Sequence, residues 1–89
     1  MIVTIGLDRH NYEQLLQNLP PKSPAFTVLS RCPELYRWGR EVPLFRCVII
    51  ECSQDEAIVL LEAAKQYCEQ AVVDIEYGIK LSRAFSLIS

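Results

Sequence analysis

Apolar residues in the first half of the chain follow patterns that predict a strand, a helix and a second strand. The aliphatic segment Ile2–Leu7 predicts a strand, because aliphatic and β-branched residues favour an extended backbone. Over Asn11–Leu19 apolar residues recur at intervals of three and four, which predicts a helix with Asn11 as its N-cap. The pair Pro20-Pro21 ends this helix, since proline has no backbone N–H. The apolar segment Ala25–Cys32 then predicts a second strand.

The second half of the chain repeats the order of strand, helix and strand. The segment Leu44–Cys52 predicts a third strand, and apolar residues on both of its sides indicate that both faces are covered. A helix over Ser53–Cys68 follows, because Ser53 and Glu56 have the spacing of a capping box. Apolar and polar residues alternate over Val73–Ser82, which predicts a fourth strand, and the glycine within it indicates a bulge.

The predicted order β-α-β-β-α-β is that of a ferredoxin-like α+β sandwich. This fold has a four-stranded antiparallel sheet with two helices on one face. The other face of the sheet then needs a cover. A second copy of the chain provides one, which predicts a homodimer; the competing cover is the apolar tail with Phe85, Leu87 and Ile88. At 89 residues, the chain is long enough for a single domain, residues 1–89.

Composition and charge narrow the class of protein. With 51% hydrophobic and 22% charged residues, the chain is too apolar for a disordered protein. A net charge of −2, basic in the first half and acidic in the second, argues against broad nucleic-acid binding. No apolar segment approaches the ~20 residues of a membrane-spanning helix, and the first residues lack the basic part of a secretory signal. We therefore expect a cytoplasmic protein without membrane association.

The cysteines give no indication of a metal or another cofactor. No two of the four are spaced as Cys-x-x-Cys, and the single histidine, His10, is remote from them in sequence. We expect them to be small, mostly buried apolar residues with reduced thiols. A reactive thiol at Cys52, next to a predicted helix N-terminus, is opposed by the carboxylates of Glu51 and Asp55. The four positions are Cys32, Cys47, Cys52 and Cys68.

Arginine and aromatic residues are concentrated between the second and third predicted strands, around the segment Pro33–Pro43. A guanidinium group binds phosphate or carboxylate through two hydrogen bonds, and an aromatic ring offers a stacking surface. This predicts a site for an anionic metabolite, a nucleotide or an acidic protein partner. The alternative is a solvated loop whose arginines pair with Glu34 and Glu41 while Trp38 covers the core. The candidate ligand-binding residues are Arg31, Arg37, Trp38, Arg40 and Arg46.

Two weaker candidates for acid–base chemistry lie outside this segment. Asp74 and Glu76, two residues apart on the predicted fourth strand, would project from the same face as a carboxylate pair. The alternative is a solvent-facing side of that strand. His10 follows the first strand, where ligand sites gather in many α/β folds, but the same position suits an ordinary turn residue.

Two functions of different classes follow from these observations. The first is a small intracellular regulatory or protein-interaction module that is not an enzyme and acts as a homodimer. The alternative is a sensor of an anionic small ligand, or a small enzyme, that uses the Arg31–Arg46 segment. The sequence alone leaves the question of enzymatic activity open.

Overall fold

A computed structural model describes the backbone at residues 2–31 and 47–88, and the side chains of these residues except 47 and 85–88. Two strands and four helices follow one another along this part of the chain. They are β1 (Ile2–Asp8), α1 (Arg9–Asn18), α2 (Pro24–Ser30), β2 (Cys47–Ser53), α3 (Gln54–Tyr67) and α4 (Gln70–Ile88). β1 and β2 pair antiparallel, with Ile5 opposite Ile50 and Leu7 opposite Val48.

The predicted ferredoxin-like fold is wrong. The described residues form two antiparallel strands and four helices, rather than a four-stranded sheet with two helices on one face. Two segments predicted as strands are helical. The second predicted strand, Ala25–Cys32, lies in α2 as far as Ser30, and the fourth, Val73–Ser82, lies within α4.

The helical state of α2 follows from its N-cap, Ser23, and its first residue, Pro24. The Ser23 side chain accepts a hydrogen bond from the backbone N–H of Phe26, and Pro24 occupies the first turn, where a missing N–H costs nothing. Ala25, Val28 and Leu29 then form one buried side at helical spacing. The buried Tyr12 hydroxyl donates to the Leu29 carbonyl (3.0 Å) and joins α1 to α2.

The helical state of α4 shows why strict alternation misled the strand prediction. A period of two contains a period of four, so the alternating apolar residues divide into two sets spaced four apart. On α4, Ile75 and Ile79 continue from Ala71 as a buried line. The other set, Val73, Tyr77 and Leu81, lies on a different side of the helix and is exposed.

The remaining predicted elements are largely confirmed. β1 contains the first predicted strand, and β2 contains the described part of the third. α3 begins at the Ser53 N-cap with both hydrogen bonds of the capping box, as the spacing of Ser53 and Glu56 predicts. α1 covers most of the first predicted helix, but its N-cap is Asp8 rather than Asn11, because the Asp8 carboxylate accepts from the His10 N–H (2.9 Å).

The sheet has a covered and an open face. Val3, Ile5 and Leu7 of β1 are fully buried, and side chains of all six elements join them in one apolar core. The intervening β1 residues are exposed. On β2, Ile49 is half-buried and Glu51 is exposed, so the prediction that this strand is covered on both faces is wrong for its described residues.

α4 lies along the edge of β1 that does not pair with β2. The backbone N–H of Thr4 donates to Ser82 Oγ (3.1 Å), and that of Asp8 donates to Asp74 Oδ2 (3.3 Å). The four-residue step from Thr4 to Asp8 covers about 13 Å of strand, and the eight-residue step between Asp74 and Ser82 covers about 12 Å of helix. Because these lengths match, one line of side chains on α4 reaches both amides. Gly78, midway between Asp74 and Ser82, faces the strand. We call Asp74, Gly78 and Ser82 the edge line.

Gly78 permits this close approach. A Cβ at position 78 would lie 2.8 Å from the Thr4 carbonyl oxygen and 3.0 Å from Ile5 Cα, both of them backbone atoms. The glycine therefore marks a helix–strand contact and not the predicted bulge. The tail predicted as a cover for the sheet continues α4 to Ile88, and its apolar side chains at 85, 87 and 88 lie outside the described residues.

We predict that Gly78→Ala destabilises the protein. In an open helix this change would stabilise by about 1 kcal/mol through helix propensity. Here the added methyl group meets backbone that cannot move aside, and we expect the free energy of unfolding to fall by about 1–3 kcal/mol in urea denaturation. Gly6→Ala is the matched control, because a Cβ there meets only the end of the Ile49 side chain at 3.8 Å. A stabilised Gly78→Ala variant would contradict the contact.

Candidate interaction surface

Of the predicted ligand-binding residues, the structure describes Arg31, which follows α2. Its Nη2 lies 2.6 Å from Oε2 of Glu56, in the first turn of α3. The same carboxylate accepts from the Ser53 backbone N–H (2.9 Å), so Arg31 extends the capping box and joins α2 to α3. The other candidates, Arg37, Trp38, Arg40 and Arg46, lie outside the described residues, as do Glu34 and Glu41.

The two donors act on the ionisation of Glu56. The hydrogen bond from the Ser53 backbone N–H lowers the pKa of the Glu56 carboxyl most, and the hydrogen bond from Arg31 lowers it further. A carboxyl whose pKa is lower in the folded state contributes stability at pH values above its unfolded pKa. That contribution is lost as the pH falls through the folded pKa.

We predict that Glu56→Gln lowers the melting temperature at pH 7 and that this difference shrinks as the pH falls below 4.5. Glutamine keeps the capping-box geometry but removes the charge. Thermal unfolding followed by circular dichroism between pH 7 and pH 3 measures the difference. Glu62→Gln removes one carboxylate from an exposed position on α3 and controls for net charge. A difference that does not change with pH would show that the charge of Glu56 has no part in it.

The predicted carboxylate pair does not form. Side chains two residues apart on a helix point in different directions, so α4 separates Asp74 from Glu76. Glu76 is exposed, whereas Asp74 is half-buried and accepts from the Asp8 N–H and from Asn11 Nδ2 (3.4 Å). Asp74 therefore holds β1 and α1 against α4.

His10 and Cys52, the other residues considered for chemistry, lie at a helix start and in the core. His10 is exposed in the first turn of α1, where its backbone N–H contacts the Asp8 cap. Cys52 is buried on the covered face of the sheet and Cys68 is half-buried, in line with apolar roles. The structure does not describe Cys32 or the side chain of Cys47. Within residues 2–31 and 47–88, no three His, Cys, Asp or Glu side chains lie close enough together to hold a metal ion.

Two shallow depressions lie between α2 and α3. Their volumes are about 280 and 300 Å³, at or below the lower end of the range for small-molecule sites, about 300–1,000 Å³. Pro24 and Val59 line both depressions. Two of their polar residues already serve in helix caps, Ser23 for α2 and Glu56 for α3.

Among the described residues, three of the six exposed large apolar side chains lie on α4. Val73, Tyr77 and Leu81 are 69%, 63% and 42% exposed, and their spacing of four places them in one line along the helix. We call these three residues the outer stripe. Each directly precedes a residue of the edge line, so the stripe lies about 100° around the helix from it. The buried Ile75 and Ile79 lie on the other side of the edge line.

This arrangement places the outer stripe beside the open face of the sheet. The edge line contacts β1, and the buried residues of α4 face the core below the sheet. Ile2, on the open face of β1, is 69% exposed and lies near the end of the strand that contacts Ser82. Ile2 thus adds an exposed apolar side chain on the open face of the sheet, the side on which the outer stripe lies.

The sequence contains the signal that identifies the outer stripe, although alternation alone obscures it. Residues 71, 75 and 79 and residues 73, 77 and 81 form two apolar lines, within 19 residues that contain no proline. A helix with two apolar sides is typical of one that packs on two surfaces. None of the described helices combines the length and hydropathy required to cross a membrane. The chain matches no protein-family model, no curated protein and no solved structure.

Proposed function

We propose that this protein is a small, non-enzymatic regulatory or protein-interaction module that forms a homodimer through the outer stripe. The single observation behind the proposal is the exposure of Val73, Tyr77 and Leu81 in one line on α4. An ordinary surface helix has charged and polar residues on its outer side. Apolar patches larger than a few hundred Å² commonly mark interaction sites, and twofold pairing is the commonest form of assembly.

The residue types of the stripe support the same proposal. Tyr77 is at its centre, and tyrosine is among the residues that contribute most to binding at protein interfaces. A stable interface buries about 800 Å² on each partner, more than three side chains provide. The adjoining open face of the sheet, with Ile2 and the half-buried Ile49, supplies further apolar area.

The alternative function, recognition of an anionic ligand by the arginine and aromatic residues, gains no support from the described residues. Arg31 is already paired with the Glu56 carboxylate. The other four candidates lie outside the described residues. Ligand binding, a possible enzymatic role and the cytoplasmic location therefore stay predictions.

We predict that the wild-type chain sediments at micromolar concentration with twice its 10.2 kDa mass and that Tyr77→Ser shifts it towards the monomer. Loss of a central tyrosine costs roughly 2 kcal/mol or more, which weakens the dimer by about thirtyfold. Ile58→Ser is the matched control, because Ile58 is an exposed apolar residue on α3. Sedimentation equilibrium measures all three proteins.

Two results would contradict the proposal. One is a wild-type protein that stays monomeric up to about 100 µM, a concentration at which even a weak dimer with micromolar affinity forms. The other is equal weakening by Tyr77→Ser and Ile58→Ser, which would show that the stripe has no special part in assembly. Circular dichroism of each variant establishes that the fold is intact.

A further inference from the structure

We infer that the two copies pair α4 against α4 in antiparallel orientation, with the twofold axis at Tyr77. This inference rests on the proposed function and adds the geometry and partner of the same surface. The apolar residues of the outer stripe are symmetric about its centre. Val73 and Leu81 lie four residues before and after Tyr77, so antiparallel pairing places Val73 opposite Leu81 of the partner subunit.

The charges beside the stripe favour this orientation. Three exposed residues follow one flank of α4 at intervals of four and three, on the side of the stripe away from the edge line, and the exposed Glu69 directly precedes the helix. The first two of these four residues along the chain are acidic and the last two are basic. We call them the charged flank: Glu69, Glu76, Lys80 and Arg83.

In an antiparallel pair the twofold axis is perpendicular to both helices. The charged flank of one copy therefore lies beside the charged flank of the other. Distances along the helix from the twofold axis at Tyr77 follow from a rise of 1.5 Å per residue. Lys80 lies about 4.5 Å from the axis, and the partner subunit's Glu76 lies about 1.5 Å from it on the same side. Arg83 lies about 9 Å from the axis, towards the end of the partner's helix that the partner subunit's Glu69 precedes. The pair of Lys80 with the partner subunit's Glu76 is thus offset by only about 3 Å along the helix and occurs twice.

A parallel pair does not bring the acidic and basic residues of the two charged flanks together. Parallel pairing brings the charged flank of one helix against the opposite flank of its partner. That opposite flank is the edge line, where Gly78 approaches the backbone of β1 and Ser82 accepts from the Thr4 N–H. Only the antiparallel orientation brings the charged flanks of the two copies together.

Charge reversal tests the orientation. We expect Glu76→Lys or Lys80→Glu alone to weaken the dimer by about tenfold or more at low salt, because each places like charges together. The double variant Glu76→Lys/Lys80→Glu restores the pairs and should return the dissociation constant to within about threefold of wild type. Glu62→Lys, an exposed reversal on α3, changes the net charge by the same amount as Glu76→Lys and should leave the dimer unchanged. Circular dichroism reports the stability of each monomer separately.

A photocrosslink gives a second, independent readout. Benzoylphenylalanine at position 73, in a mixture of isotope-labelled and unlabelled chains, should attach to residues 81–89 of the other copy. Attachment to the 66–80 peptide would overturn the antiparallel orientation, as would single charge reversals without effect on a stable wild-type dimer. Those results leave the proposed homodimer standing. A monomeric wild-type protein would instead reject the homodimer and this geometry together.

Discussion

The contact between the edge line of α4 and the free edge of β1 determines how the rest of the protein is arranged. A strand edge exposes backbone N–H groups that need partners, and here two of them are met by side chains of a helix. Asp74 and Ser82 can reach the strand only because Gly78 between them has no side chain. The spacing of these three residues fixes both the position of α4 along β1 and its rotation about its own axis.

That rotation decides which side chains are buried. With the edge line on β1, Ile75 and Ile79 face the core, and the outer stripe is left at the surface. Rotating the helix to bury Tyr77 would remove the two acceptors from the strand and place larger side chains where Gly78 lies. Exposure of the stripe is therefore a consequence of closing the strand edge, and in the proposed homodimer a second copy covers it.

Local signals predicted the first strand and the capped helix well, but they misassigned two other segments. The Ser53–Glu56 capping box depends on neighbouring residues alone and identified α3 correctly. The alternation in α4 fits a strand as well as a helix, and the contacts of Asp74, Gly78 and Ser82 with β1 come only from the tertiary structure. The partner of Arg31 could not be predicted, because Glu56 is 25 residues away and meets it only when α2 packs on α3. The sequence shows that the residues of the outer stripe are apolar, but only the structure shows that they are exposed.

Amide hydrogen exchange at the β1 edge tests the central contact most directly. The N–H groups of Ile5 and Leu7 face β2, since those of Thr4 and Asp8 face α4. If α4 closes the edge, the amides of Thr4 and Asp8 should exchange within about tenfold of those of Ile5 and Leu7 under native conditions. If instead Thr4 and Asp8 exchange orders of magnitude faster, at rates near those of an unfolded chain, then α4 does not hold the edge of β1 and the account is wrong.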